Sequence, residues 1–157
     1  MNMHTCFQTH PFLPLPCDAP PPCGPRVLLA SAEHGARARL ALALTKFGYC
    51  VAECSNGVDM VIKLGGLAFP VKPEGFDLII ADARMPGISG LEILEAVRSQ
   101  EGHPPFIVMT GPGERTLFAK ARRLGATAVF RRPMDMETLV DHVMRVVPPL
   151  ATAQGEA

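Results

Sequence analysis

Five short apolar runs, each followed by an amphipathic stretch, set the pattern of this chain from Arg26 onward. Residues 27–30, 49–54, 76–81, 106–109 and 126–130 suit strands. Leu78, Ile79 and Ile80 in succession predict a strand buried on both faces, as in a parallel sheet. Between the runs, apolar residues recur at helical spacing. Ala36, Leu40, Leu44 and Phe47 form one stripe, closed by Gly48 as a C-terminal cap. Asn56 is placed to cap a helix with Val58, Val61 and Ile62 on one face, ended by Gly65 and Gly66. A helix over 89–100 buries Leu91, Leu94 and Val97, and one over 114–124 ends at Gly125. The last, over 136–147, presents Leu139, Val143 and Val146 before Pro148 and Pro149 stop it. Residues 67–75, with Pro70 and Pro73, read as a surface loop.

Strict alternation of strand and helix predicts an α/β fold, a doubly wound five-stranded parallel sheet with helices on both faces. Right-handed crossovers put every strand's C-terminal end on one edge, where open α/β sheets place ligands and chemistry. Those ends are Ser31-Ala32-Glu33, Cys54-Ser55, Asp82, Thr110 and Arg131-Arg132. Asp82 stands out because it ends the most apolar run and precedes a well-specified turn. Pro86 fixes φ, Gly87 permits a positive one, and Ser89 with Glu92 forms a capping box for the next helix.

Composition narrows the classes. A length of 157 residues and a hydrophobic content of 48% suit one domain with tails. Prolines at 11, 14, 16, 20, 21, 22 and 25, with Cys6, Cys17 and Cys23, mark 1–25 as a disordered or polyproline-like tail. A proline-motif ligand, a redox-sensitive Cys17–Cys23 pair and a downstream biological start are the alternatives for that segment. The domain is expected over 26–147, with a short tail over 148–157. Basic and acidic residues balance at 15 each, which argues against binding nucleic acid through bulk charge. No apolar run approaches the roughly 20 residues that span a bilayer, and no secretory leader is evident, so a cytoplasmic location is expected. Five cysteines without metal-like spacing read as free thiols, with Cys50 and Cys54 as small buried hydrophobes on one strand face. His34, His103 and His142 are scattered, and the methionines read as core.

Four blocks, taken in order, resemble a known family. GYCVAECSNG is similar to the second strand and following turn of the receiver domain of bacterial response regulators. DLIIADARMPGISGLEIL resembles its phosphoacceptor strand, turn and third helix. FIVMTG resembles its fourth strand, and LGATAVFRRPMD its fifth strand and basic-proline exit. The resemblance implies a flavodoxin-like sheet of order 2-1-3-4-5 and a signalling role in two-component phosphorelay rather than an enzyme. It implies a histidine kinase or other signalling protein as partner, with a homodimer through the fourth helix, fifth strand and fifth helix as a possibility. It places Asp82 at the phosphoacceptor position, Thr110 at the switch hydroxyl and Arg132 where the family has a phosphoryl-contacting lysine. The backbone carbonyl of Arg84 matches a magnesium ligand, and Val129 falls where many members carry an aromatic residue.

The departures from the family concern charge. Its two acidic positions after the first strand are occupied here by Ser31 and Ala32, with Glu33 just outside the pair. Phosphoryl transfer to a carboxylate needs incoming negative charge neutralised, largely by Mg2+, which favours oxygen ligands. Weak Mg2+ binding and impaired phosphorylation of Asp82 are therefore expected. With no competing acids, Arg132 is expected to pair bidentately with Asp82 and lower its pKa. The plain alternatives are that Arg131 and Arg132 are exposed loop residues and that Thr110 caps a loop. Three functions are weighed: a pseudo-receiver signalling through protein contacts, a phosphorylation-competent single-domain regulator, and a small-molecule or flavin-binding module. The last lacks a Gly-rich loop after the first strand, where SAEHGAR stands. With only a short tail after Val147, output is expected through another protein.

Overall fold

The computed structural model describes residues 24–65 and 75–149. The expectations for the N-terminal tail, the Cys17–Cys23 pair, most of the 67–75 loop and the residues after 149 lie outside them. The elements are β1 (Arg26–Ala30), α1 (His34–Lys46), β2 (Cys50–Cys54), α2 (Gly57–Lys63) and β3 (Leu78–Asp82), then α3 (Gly90–Arg98), β4 (Phe106–Thr110), α4 (Arg115–Arg123), β5 (Ala128–Arg131) and α5 (Met136–Val146). All sheet pairings are parallel, in the order β2-β1-β3-β4-β5. The doubly wound topology and strand order are as expected from the alternating pattern and the family resemblance.

Successive side chains of each central strand pack on opposite faces of the sheet and assign the helices to those faces. Val27, Leu29, Leu78, Ile80, Ile107 and Met109 pack with α1 and α5. Leu28, Ala30, Ile79, Ala81 and Val108 pack with α2, α3 and α4 on the other face. β3 and β4 are buried at every residue, the reason they read as unbroken apolar runs. Among the described residues no helix is long and apolar enough to cross a membrane.

The local stop and start signals act as expected. Asn56 Oδ1 accepts from the Asp59 N–H at 2.7 Å. Ser89 and Glu92 complete both halves of the capping box, each bond 3.1 Å long. Three expectations need correction. Phe47 is 50% exposed because it lies just past α1 as its C-cap. Val58 and Ile62 are also exposed, and α2 instead buries Gly57, Met60 and Val61. Cys54 is a buried free thiol, but Cys50 is half-buried and disulfide-bonded, so the reading of free thiols throughout does not hold.

Two close approaches fix the strand-end loops. A Cβ on Gly57 would lie 1.8 Å from the Ile88 carbonyl oxygen, and one on Gly90 would lie 1.9 Å from that of Asp82. The first turn of α3 is thus pressed against the backbone of Asp82. Gly90→Ala is expected to lower the unfolding free energy by about 2–4 kcal/mol, because backbone rather than a flexible side chain must move. Urea denaturation would measure it, and a loss no larger than that of an exposed Ala substitution would contradict this packing.

Candidate functional site

The carboxyl edge of the sheet brings Ser31, Ala32, Asp82, Thr110 and Arg132 together. β3 delivers Asp82 between β1 and β4, pairing it in register with Met109. The turn after Asp82 is held by two backbone bonds, Ala83 N–H to the Met109 carbonyl at 2.8 Å and Gly90 N–H to the Ala83 carbonyl at 3.0 Å. The carboxylate therefore sits on rigid backbone and is 6% exposed.

Its partners surround it closely. Arg132 Nη2 donates to Oδ1 in a tight ion pair. Ser31 Oγ donates to Oδ2 at 2.8 Å, and the Ala32 backbone N–H donates to the same oxygen at 3.3 Å. The pairing of Arg132 with Asp82 matches expectation, though a single guanidinium nitrogen makes the contact. Ala32 contributes through its backbone, which reasoning from its side chain missed.

The expected direction of the Asp82 pKa is overturned. The group lies above its ordinary value because burial, which penalises the charged form, outweighs the lowering effects of Arg132, Ser31 and the Ala32 N–H. The sequence identified the cation but not the depth of the carboxylate.

The remaining residues divide. Thr110 is fully buried, and its Oγ1 has no hydrogen-bond partner within the described structure. Its carbonyl accepts the Arg132 N–H at 2.8 Å, which ties β4 to the loop carrying the guanidinium. The peptide bond from Arg132 to Pro133 is cis. Glu33 meets the site only through its backbone N–H, 3.3 Å from Ser31 Oγ, and its side chain is solvated. Arg84 turns outward to Glu114 at 3.6 Å. Val129 is half-buried on β5.

Arg37 was not foreseen. Its Nη1 donates to the Ser31 carbonyl at 2.7 Å and its Nε to Glu53 at 3.1 Å, so it anchors the loop that presents Ser31. The available signal was its place one turn into α1, beside the end of β1. Glu114 was also missed; its Oε1 accepts the Gly111 N–H at 2.7 Å and braces the loop after Thr110.

The magnesium ion implied by the family resemblance does not fit these residues. Mg2+ takes hard oxygen ligands, one or two of them carboxylates. The site offers one carboxylate, with a cation on Oδ1 and two N–H or O–H donors on Oδ2. Among the described residues no three His, Cys, Asp or Glu side chains converge on a point.

The family described as the response regulator receiver domain matches residues 27–144. The chain is 29% identical over 126 residues to sporulation initiation phosphotransferase F of Bacillus subtilis, covering 78% of this chain and 94% of that protein. It is 30% identical over 130 residues to the regulator of RpoS of Escherichia coli, covering 82% of this chain and 36% of that protein. Among solved structures it is similar to full-length FixJ from B. japonicum, with a TM-score of 0.65 and 25% identity over 78% of this chain and 57% of that one. Similarity to the chemotaxis response regulator CheY4 of Vibrio cholerae has a TM-score of 0.65 and 27% identity, covering 78% and 98%.

A raised carboxylate pKa has a definite sign in stability. The folded chain holds the Asp82 proton more tightly than the unfolded chain does. Its contribution is therefore full below the ordinary value of 3.8 and is lost as pH rises through the raised folded value. Asp82→Asn, close in shape to the protonated acid, is expected to need more urea to unfold than wild type at neutral pH. The gap should close on acidification. A lower midpoint for the variant at neutral pH would mean that pairing, not burial, governs the group.

Proposed function

The chain belongs to the response regulator receiver family of two-component signalling, and from that premise we propose that it signals through protein contacts without depending on Mg2+-assisted phosphorylation of Asp82. The observation that carries this reading is the Asp82–Arg132 ion pair, closed on the other oxygen by Ser31 and the Ala32 N–H. Attack on a phosphodonor needs a free carboxylate oxygen and a cation to receive the incoming charge. Here Arg132 already occupies Oδ1, and the two positions that would hold a metal carry a hydroxyl and a methyl group.

In this reading Asp82 and Arg132 are structural partners, holding β3 to the β5–α5 loop as a phosphate-bound receiver would be held by its ligand. The proposed signalling unit spans 26–147 and works in the cytoplasm. Its partners are a histidine kinase or another signalling protein, met through α4, β5 and α5, with self-association through the same face as one form of that contact. The composition of α4 suits an acidic partner, since Arg115, Lys120, Arg122 and Arg123 lie on it, all solvent-exposed.

A phosphorylation-competent regulator is the second reading, and one observation favours it. Thr110 Oγ1 is buried without a partner among the described residues, beside the carboxylate-bearing strand, as a hydroxyl awaiting a ligand would be.

Intact mass after incubation with acetyl phosphate and Mg2+ separates the two. The wild-type protein is expected to gain no phosphoryl group. The triple variant Ser31→Asp, Ala32→Asp, Arg132→Lys is expected to gain one, lost again on adding Asp82→Ala. A phosphoryl adduct on the wild type that Asp82→Ala removes would overturn the proposal in favour of the second reading.

A further inference from the structure

A cleft of about 390 Å3 opens at the carboxyl edge of the sheet, between α1 and the start of α5. Its volume falls at the small end of the roughly 300–1,000 Å3 of small-molecule sites. The apolar lining includes Leu29, Leu40, Met109, Met134, Met136 and Leu139. Methionines suit such a surface because their flexible thioethers adapt to differently shaped hydrocarbon.

The charged lining is Glu33, Arg37, Arg39 and Arg132. Arg37 is committed, bound to the Ser31 carbonyl and to Glu53. Arg39 is exposed and makes no hydrogen bond or ion pair with the described residues. Arg132 spends one nitrogen, Nη2, on Asp82. A guanidinium carries five N–H donors, so Arg132 keeps donors to offer the cleft. Arg132 is thus a shared wall, with Asp82 on one side and the cleft on the other.

We propose that this cleft binds a small monocarboxylate with an apolar body. Its carboxylate would lie between Arg39 and the free edge of Arg132, and its hydrocarbon on the methionine-lined floor. Apolar lining and two available guanidiniums match both halves of such a ligand. Glu33 on the rim opposes a more highly charged anion such as a phosphate ester. A carboxylate at Arg132 competes with Asp82 for the same cation, so occupancy of the cleft and the state of the Asp82 pair are linked reciprocally. The site holds whether or not Asp82 accepts phosphate.

Octanoate and octanol, equal in hydrocarbon and different in charge, test this on full-length protein carrying 13C-methyl methionine. Octanoate is expected to shift the Met109, Met134 and Met136 methyl signals saturably. Met60 and Met85, which pack on the other face of the sheet, should not move. Octanol should bind about tenfold more weakly, the worth of one charge-assisted contact. Arg39→Ala and Arg132→Gln should each weaken octanoate about tenfold and leave octanol unchanged. Arg39 is exposed, so its variant carries the test if Arg132→Gln does not fold. Asp82→Asn, which releases Arg132, should tighten octanoate binding several-fold. Equal affinity for the two probes, no saturable shift at the three methionines, or shifts at Met60 and Met85 as well would overturn the site. Unchanged octanoate affinity in Asp82→Asn would overturn its link to Asp82.

Discussion

A carboxylate buried at the end of a central strand must be compensated, and the compensation chosen here shapes the whole edge of the sheet. Asp82 is almost fully enclosed, and ionised it would be costly without partners. Arg132 supplies the countercharge, with Ser31 and the Ala32 backbone covering the second oxygen. A cation tethered to the chain differs from a bound metal in one physical respect. It cannot be exchanged with solution, and a guanidinium stays protonated throughout the physiological range. The pocket is therefore neutral by construction, and its charge does not follow the supply of an ion.

The scaffold around the pocket is independent of that chemistry. Gly90 permits the approach of α3 to the Asp82 carbonyl, Gly57 permits the approach of α2 to Ile88, and the Ser89–Glu92 box sets the start of α3. None of these depends on what occupies positions 31, 32 and 132. A receiver fold can thus keep its strand, turn and helix while the charges around its central carboxylate are replaced, so function must be argued from the site rather than the fold.

That separation also explains what the sequence revealed. Parallel strands buried on both faces announce themselves as apolar runs, so the five strands, their alternation with helices and the position of Asp82 were legible. The caps at Asn56 and Ser89 were legible because each rests on local side-chain chemistry. What escaped depends on depth and direction. The faces chosen by Val58 and Ile62 follow from how the short helix α2 docks, which a window of seven residues cannot fix. The Ala32 N–H was invisible because a residue letter says nothing about where its backbone points. The pKa of Asp82 was read with the wrong sign because the sequence exposes a partner's charge but not the water excluded around it. Arg37 was overlooked because its role needs the C-terminal ends of β1 and β2 in one view, where it bonds to the Ser31 carbonyl and to Glu53.

Arg132 then carries more than the pair with Asp82. Its N–H bonds to the Thr110 carbonyl, its guanidinium reaches Asp82, and the residue also lines the cleft between α1 and α5. A lysine in its place would offer a point charge with a single nitrogen, able to serve one side of that wall at a time. A planar fork serves both at once and makes each side sensitive to the other, since any anion drawing on one edge alters the hold on the carboxylate at the other. The residue that closes Asp82 Oδ1 is thus the same one that borders the cleft, and in the proposed reading both roles have a common cause in the geometry of a guanidinium.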